Sequence, residues 1–250
     1  MTPMWIHMIS FKKFIIAAMA AFLLPLLAES KVYLVSVGIS DYKGVDMDLR
    51  LSADDAKTMT WLYSKNTELQ YVQLLNEKAT IGAISSAMNK VFSNAGQNDI
   101  VVFFYSGHGY PGGFAVYDGK LSYSVIRKAM AKSKCRNKMI FADACFSGCL
   151  RNGTQPDQAS VSSAKKSNVM VFLSSRSDEV SWEYAGMKNG IYTTYLQKAL
   201  RGGADADRNR VITARELFDY VHRNVTSHTR NQQHPVMWGK FSDNMPVMKW

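Results

Sequence analysis

Residues 137–148 read Asn-Lys-Met-Ile-Phe-Ala-Asp-Ala-Cys-Phe-Ser-Gly, and this stretch carries the strongest fold signal of the chain. The apolar run from Met139 to Ala142 has the length of a buried strand and ends in a turn of small residues. That turn exposes Cys145 and is stopped by Gly148. A cysteine at the end of a strand stands where open α/β sheets carry their functional residues, so Cys145 is a candidate nucleophile.

A second apolar run, Ile100 to Tyr105, ends in a glycine turn that contains His108. Between the two runs, Leu121 to Ser133 has helical spacing. A strand, a crossover helix and a second strand form a right-handed parallel unit, so both turns should emerge at the same sheet edge. Neighbouring strands lie about 4.8 Å apart. We therefore expect His108 and Cys145 to lie side by side as a base and a thiolate.

The remaining apolar runs alternate between strand-like and helical patterns. The predicted strands are Lys31–Ile39, Tyr71–Leu75, Asn168–Ser174 and an edge strand at Pro235–Trp238; the predicted helices are Leu51–Asn66, Thr80–Ser93, Ile191–Leu200 and Ala214–Val225. Tyr110–Tyr117 is expected to form a hairpin and Asn152–Ser167 an exposed loop. This order predicts an α/β fold, a three-layer sandwich with a mostly parallel, roughly six-stranded sheet.

The amino-terminal 28 residues have the composition of a signal peptide. Lys12 and Lys13 precede the apolar run Phe14 to Leu27, and Leu26-Leu27-Ala28 offers a cleavage site before Glu29. A retained membrane anchor is the alternative, but a run of 14 residues is short for a bilayer span. The interpretation is a signal peptide at 1–28 and one domain at 29–250, which predicts export to the periplasm, the cell surface or the medium.

The chain is basic, with a formal net charge of +10. Removing residues 1–28 takes away two lysines and no acids, so the charge becomes +8 (10 minus 2). Nucleic-acid binding would require a basic stripe with aromatic residues beside it, and the sequence has neither. We therefore expect no nucleic-acid partner, and no stable membrane span once the signal is removed.

Two motifs resemble those of the caspase superfamily of cysteine peptidases, within it the bacterial metacaspase-like branch. They are Tyr-Ser-Gly-His-Gly at Tyr105–Gly109 and Asp-Ala-Cys-Phe-Ser-Gly at Asp143–Gly148. The resemblance extends from about Lys31 to Gly239. Two departures are Phe146, where relatives often have histidine, and a His-to-Cys interval of 37 residues (145 minus 108), against roughly 50 in the caspase signature.

The resemblance implies the roles of the catalytic residues. Cys145 would attack a peptide carbonyl as a thiolate, with His108 as its proton partner, and a thioester would form. The backbone N–H groups of Gly109 and Cys145 would stabilise the oxyanion. A non-catalytic caspase-like binding scaffold is the alternative function, but a scaffold has no need to keep both His108 and Cys145.

Substrate choice would depend on charge. By resemblance, Asp143, Asp55 and Ser106 match the pocket that the metacaspase branch uses for Arg or Lys, and a buried carboxylate would be compensated by a guanidinium. Both acids also have structural alternatives, because Asp143 could accept hydrogen bonds from loop amides and Asp55 could cap its helix. The expected activity is an endopeptidase that cuts peptides or proteins after Arg or Lys.

An acidic stretch, Asp205 to Glu216, fits the spacing of a calcium loop at its first, third, fifth and twelfth positions. Arg210, however, replaces the glycine required at the sixth position. An acidic turn with Thr213 capping the next helix is the favoured interpretation, so no metal ligands are assigned. No cofactor is expected to be required, although the resemblance leaves calcium activation open.

Two further expectations concern the region around Cys145. Cys135 and Cys149 could form a disulfide in an oxidising compartment, although a bridge between Cys149 and Cys145 is also conceivable. The polar loop after the nucleophile could be cut by the enzyme itself, and the candidate cleavage sites are basic: Arg151, Lys165 and Lys166. The lysines could equally serve only to keep a surface loop soluble.

Overall fold

The computed structural model describes residues 30–66, 68–110, 112–144, 169–175, 179, 181 and 186–249. The strands are β1 (Val32–Gly38), β2 (Leu69–Leu75), β3 (Ile100–Ser106), β4 (Gly109–Tyr110), β5 (Gly113–Val116), β6 (Gly119–Ser122), β7 (Asn137–Asp143), β8 (Val169–Leu173), β9 (Val211–Thr213), β10 (Val236–Gly239) and β11 (Pro246–Lys249). The α-helices are α1 (Ser52–Asn66), α2 (Ile81–Ser93), α3 (Tyr123–Lys132), α4 (Ile191–Lys198) and α5 (Ala214–His228).

Six strands form the central sheet in the order β10-β8-β7-β3-β1-β2. Five of them run parallel, and β10 pairs antiparallel with β8 at one edge. Alternate strand residues are buried on opposite faces. Val35 and Phe103 pack with α2 and α3, whereas Leu34 and Phe104 pack with α1, α4 and α5. Because both faces are covered, the strands are nearly continuous apolar runs. The predicted three-layer α/β sandwich is confirmed.

The largest departure from the sequence-based expectation follows β3. A three-stranded antiparallel sheet, β4-β5-β6, replaces the single hairpin expected at Tyr110–Tyr117. Since β6 extends to Ser122, α3 begins at Tyr123 and not at Leu121. The Ser122 hydroxyl accepts the Ser124 N–H at 3.1 Å, which caps the helix.

A second small sheet, formed by β9 and β11, was not predicted. Its strands have three and four residues, which is too short for an alternating pattern to stand out. The edge position expected for Pro235–Trp238 is confirmed by β10, shifted by one residue. Helix α4 ends at Lys198 in a turn where Gly202 has a φ of 102°, a conformation that favours glycine.

The carboxyl ends of three neighbouring strands are in register. Gly38 at the end of β1 lies opposite Ser106 at the end of β3, and Ser106 lies opposite Asp143 at the end of β7. In the sequence, His108 follows Ser106 by two residues, and Cys145 follows Asp143 by two residues. This register brings the two sequence motifs to one edge of the sheet, as predicted.

Of the two cysteines that could form a disulfide, only Cys135 lies among the described residues. Cys135 is a free, buried thiol that precedes the amino end of β7. Its Sγ donates to the Asp99 carbonyl at 2.9 Å, and burial raises the pKa of the thiol to about 11. Cys149 lies outside the described residues.

The interpreted signal peptide at 1–28 also lies outside the described residues. In the part of the chain that the structure describes, no helix combines the length and the apolar character needed to cross a membrane.

Candidate active site

His108 lies in the turn after β3, and its backbone is held by two tyrosines. Its N–H donates to the Tyr42 hydroxyl at 2.9 Å, and its carbonyl accepts from the Tyr105 hydroxyl at 2.9 Å. The two hydroxyls lie 3.2 Å apart. Gly107 precedes His108, and a Cβ there would clash with both hydroxyls, so the motif requires glycine at this position.

The imidazole of His108 is oriented by a backbone carbonyl. Its Nε2 lies 2.8 Å from the Met47 oxygen, and its ring contacts the Tyr42 ring with centroids 5.1 Å apart. A carbonyl can only accept, so Nε2 must carry the hydrogen in this contact. In the neutral ring Nδ1 is then unprotonated and can act as a base.

The residue after Asp143 is held at the same edge. Ala144 donates its N–H to the Ser174 hydroxyl at 3.1 Å. Cys145 follows Ala144 directly, but it lies outside the described residues, as do Arg151, Lys165 and Lys166. The dyad, the oxyanion donors Gly109 and Cys145 and the self-cleavage sites therefore stay predictions.

A cavity of about 70 Å³ opens beside His108. Its lining consists of Leu49, Ser52, Asp55, Ser106, Gly107, His108, Asp143, Ala144, Ser181 and Gly190. This volume has room for a few water molecules or for the end of one long side chain. The structure thus brings together four of the predicted site residues, namely His108, Asp55, Ser106 and Asp143.

Asp55 lies in the first turn of α1 but does not cap it. The side chain is 1% exposed, and it accepts from the Ser106 hydroxyl at 2.8 Å, the Asn189 amide at 2.9 Å and the Gly190 N–H at 3.0 Å. None of these donors belongs to α1. The capping alternative considered from the sequence is therefore wrong, and Asp55 instead joins α1 to the segment before α4.

Asp143 ends β7 and is 7% exposed. It accepts from the Ser181 hydroxyl, the Thr193 N–H at 3.1 Å and the Thr193 hydroxyl at 2.8 Å. Gly190 precedes α4 and Thr193 lies in its first turn, so both carboxylates meet the amino end of this helix. The positive end of the helix dipole partly compensates their charge.

The two carboxyl groups are close enough to influence each other. Burial raises the pKa of both, and the charge of Asp143 raises that of Asp55 further. Among the ion pairs between described residues, none includes either acid. A Cβ on Gly190 would lie 2.6 Å from one Asp143 oxygen and 3.4 Å from one Asp55 oxygen. The glycine therefore allows both acids to approach α4.

Sequence reasoning missed the donors that hold this pair: Ser181, Asn189, Gly190 and Thr193. A signal was present, because Asn189 and Gly190 stand at the predicted start of a helix, where such residues are favoured. The partners of that helix start, however, lie far away in the chain. Nothing in the sequence connects Asn189 to Asp55.

The acidic stretch from Asp205 to Glu216 has a different arrangement. Its ligand-type carboxylates, from Asp205, Asp207 and Glu216, lie within 4.8 Å of one another. They accept from backbone amides of their own loop, such as that of Arg210, which has a φ of 64°. Thr213 caps α5 with a reciprocal bond to Glu216, so the predicted helix cap is confirmed.

Comparisons with known proteins agree with this architecture. Residues 32–245 match the family model of the caspase domain, Peptidase_C14. A vacuolar-processing enzyme from Vicia sativa is 28% identical over 119 residues, which are 46% of this chain and 22% of that protein. The chain thus spans about a fifth of the length of this relative.

Two solved structures share the fold. A protein from Geobacter sulfurreducens superposes with a TM-score of 0.63 at 15% identity, covering 87% of this chain and 97% of that one. Caspase-1 from Spodoptera frugiperda superposes with a TM-score of 0.62 at 15% identity, covering 86% and 88%. Similarity at this identity shows the fold alone. The match of the family model to most of the chain, together with the histidine turn and acidic pocket at the strand ends, shows that this protein belongs to the caspase-domain family of peptidases.

Proposed function

We propose that this protein is an exported cysteine endopeptidase that hydrolyses peptide bonds after Arg or Lys through Cys145 and His108. The observation that carries the proposal is the buried pair Asp55 and Asp143 beside His108. Peptides or proteins are the proposed substrates, and no nucleic acid takes part.

A basic side chain fits the pair because it supplies a counter-charge to the two buried carboxyl groups. Burying a carboxylate without a counter-charge costs several kcal/mol, of order 3 to 5 when a buried pair is broken. Each carboxylate accepts from three donors but offers about four lone-pair sites, so capacity for a further hydrogen bond remains. A guanidinium can donate to both acids from one planar group, and a lysine ammonium can do so as a point charge.

The reaction would proceed in two balanced steps. Nδ1 of His108 takes the proton of the Cys145 thiol, and the thiolate attacks the carbonyl carbon of the scissile bond. The resulting oxyanion is stabilised by the N–H groups of Gly109 and Cys145. Collapse breaks the C–N bond, His108 returns the proton to the departing amine, and a thioester remains. Water then adds to the thioester, which releases the acid and restores the thiol.

These steps require a thiol, an imidazole and amides of the chain, and no cofactor enters them. We assign no calcium site. Whether calcium activates the enzyme is tested by comparing turnover in calcium with turnover in EDTA.

Matched peptides that differ only in the residue before the scissile bond test the specificity. We expect cleavage after Arg or Lys and none after Asp, and we expect Cys145→Ala to abolish it. A peptidyl-arginine chloromethylketone should alkylate Cys145 with loss of HCl, so the wild type should gain one inhibitor mass less HCl and Cys145→Ala should gain none. A preference for Asp or an apolar residue would reject the acidic pocket, and a folded protein that neither cleaves nor is labelled would reject the enzyme.

Self-processing is proposed after Arg151, Lys165 or Lys166. Amino-terminal sequencing of aged wild type beside aged Cys145→Ala tests it. A new terminus at Asn152, Lys166 or Ser167 in the wild type alone supports self-cleavage. An intact chain, or the same cut in both samples, contradicts it.

A further inference from the structure

Gln233 connects the two parts of the candidate site from a distant segment. It lies between α5 and β10 and is completely buried. Its side-chain amide donates to the Ser174 carbonyl at 2.9 Å and to the Ser181 hydroxyl at 3.3 Å. A primary amide has two hydrogens, so one bond to each partner uses both.

The first of these partners leads to the nucleophile turn. Ser174 follows β8, and its hydroxyl accepts the Ala144 N–H at 3.1 Å and lies 3.2 Å from the Ala144 oxygen. The Ser174 N–H also donates to the Ala142 carbonyl at 2.9 Å. One serine therefore contacts both backbone polar groups of the residue that precedes Cys145, and Gln233 fixes the carbonyl of that serine.

The second partner leads to the acidic pocket. The Ser181 hydroxyl donates to one oxygen of Asp143. Because this hydroxyl accepts from Gln233, its own hydrogen is directed at the carboxylate. The order of donors runs from Gln233 through Ser181 to Asp143.

Gln233 is itself held firmly. Its N–H donates to the Thr229 hydroxyl at 3.0 Å at the end of α5. In the next residue, the His234 N–H donates to the Glu179 carboxylate at 2.7 Å, and the His234 Nδ1 lies 2.6 Å from the other oxygen. The amide is therefore presented by a turn that several hydrogen bonds hold in place, which is what a positioning group needs.

We infer that Gln233 is a positioning residue that aligns the nucleophile turn with the specificity carboxylate, acting through Ser174 on Ala144 and through Ser181 on Asp143. This inference rests on the proposed function, in which Cys145 attacks and Asp143 binds a basic side chain. A small displacement of either group lowers the rate, because the reacting atoms must be aligned.

Two single variants separate the contact that runs through Ser181 from the contact that runs through Ser174. Ser181→Ala removes the donor to Asp143, so KM for an arginine peptide should rise about tenfold with kcat nearly unchanged. Ser174→Ala removes the hydroxyl that holds Ala144, so kcat and the rate of Cys145 alkylation by iodoacetamide should each fall about tenfold with KM nearly unchanged. A merely structural role would not divide KM and kcat in this way.

Gln233→Met keeps the volume but removes both donors, so it should show both effects. Adding Ser181→Ala to Gln233→Met should then raise KM much less than it does in the wild type, because the two residues act on one carboxylate. The matched control is Gln73→Met. The Gln73 amide also donates twice, to the Thr60 hydroxyl at 2.8 Å and the Ala56 carbonyl at 3.4 Å, but on β2 at the far edge of the sheet.

The inference is overturned if Gln233→Met matches Gln73→Met in kcat, KM and alkylation rate. It is also overturned if the effects of Gln233→Met and Ser181→Ala on KM simply add. Deuterium exchange of the Ala144 amide gives a readout that needs no substrate: it should speed up about tenfold in Ser174→Ala and Gln233→Met but not in Gln73→Met.

This last measurement separates the inference from the proposed function. A wild type that cleaves no peptide refutes the endopeptidase, while unchanged Ala144 exchange in Gln233→Met refutes the role of Gln233. Should Gln233→Met fail to fold, the two serine variants decide, since the inference requires Ser181→Ala to change KM and Ser174→Ala to change kcat.

Discussion

This molecule has two clusters of acidic residues that differ in burial and in the origin of their hydrogen-bond donors. Asp55 and Asp143 are buried, and their donors come from other parts of the chain. Asp205 and Asp207, by contrast, lie in a loop and accept from amides five or fewer residues away, such as the N–H groups of Asn209 and Arg210. Burial is the difference that matters chemically.

Glu216, which lies with Asp205 and Asp207, has a pKa shift opposite in direction to those of Asp55 and Asp143. Burial raises the pKa of Asp55 and Asp143 above the ordinary range. For Glu216, burial also pushes the pKa up, but hydrogen bonds from Thr213 and from the Ala206 N–H outweigh it and the net shift is downward. A loop that satisfies its own carboxylates has little need of a cation, whereas a buried pair gains from one.

Asp143→Asn should have the largest effect. Removing one charge of the buried pair deprives a bound guanidinium of its partner, so kcat/KM for arginine peptides should fall about 1,000-fold. Steady-state kinetics on the matched arginine and aspartate peptides measure it. A variant that keeps its arginine preference would show that Asp143 does not face the substrate.

The pH dependence should be the next largest effect. Because the pKa values of Asp55 and Asp143 are raised, these carboxyl groups take up protons at a higher pH than exposed ones do. KM for arginine peptides should therefore rise as pH falls through these pKa values, by about tenfold per pH unit well below them. KM of Asp143→Asn should change less over the same range. Equal pH profiles in the two proteins would contradict a charged pocket.

The raised pKa values of the buried carboxyl groups also predict that the folded state loses stability as pH rises. A carboxyl group with a raised folded pKa favours the folded state below its unfolded value, near 3.9, and this contribution is lost as pH rises through the folded pKa. At pH 7 Asp143→Asn should therefore unfold at a higher temperature than the wild type, by about 3 °C, and the difference should vanish toward pH 4. Thermal unfolding over this range measures it. A lower midpoint at pH 7 would show that the hydrogen bonds of Asp143 outweigh the cost of its buried charge.

Glu216→Gln should affect stability and spare activity. The glutamate completes the capping box of α5, so its loss should cost about 1 kcal/mol, or about 3 °C in the thermal midpoint. Its kcat/KM should match that of the wild type. A loss of turnover without a loss of stability would assign this loop a role in catalysis.

Asp207→Asn should have the smallest effect. Its carboxylate accepts from the backbone and the side chain of Asn209, and both residues are exposed, so stability should change by less than about 0.5 kcal/mol. This variant is the matched control for Asp143→Asn, since each replaces one oxygen by an amide. A large effect here would remove the distinction between the two clusters.

The sequence determined the layers and the edge of the sheet where the site lies. Runs such as Ile100 to Tyr105 are apolar at every position, which only a strand buried on both faces requires. A strand, a helix and a strand then form a parallel unit with one favoured handedness, so both strands end at the same edge of the sheet. The structure places Ser106 opposite Asp143 at that edge. The order of the residues alone therefore suffices to place His108 and Asp143 at one edge of the sheet.

The tertiary structure alone decided what surrounds those residues. Asp55 meets Asn189, which is 134 positions away, and Gln233 meets Ser174, which is 59 away. Local patterns such as caps and periodicity reach only a few residues along the chain. Contacts between distant segments depend instead on how helices and loops pack over the sheet. The motif residues were therefore predictable, and the hydrogen-bond donors that orient them were not.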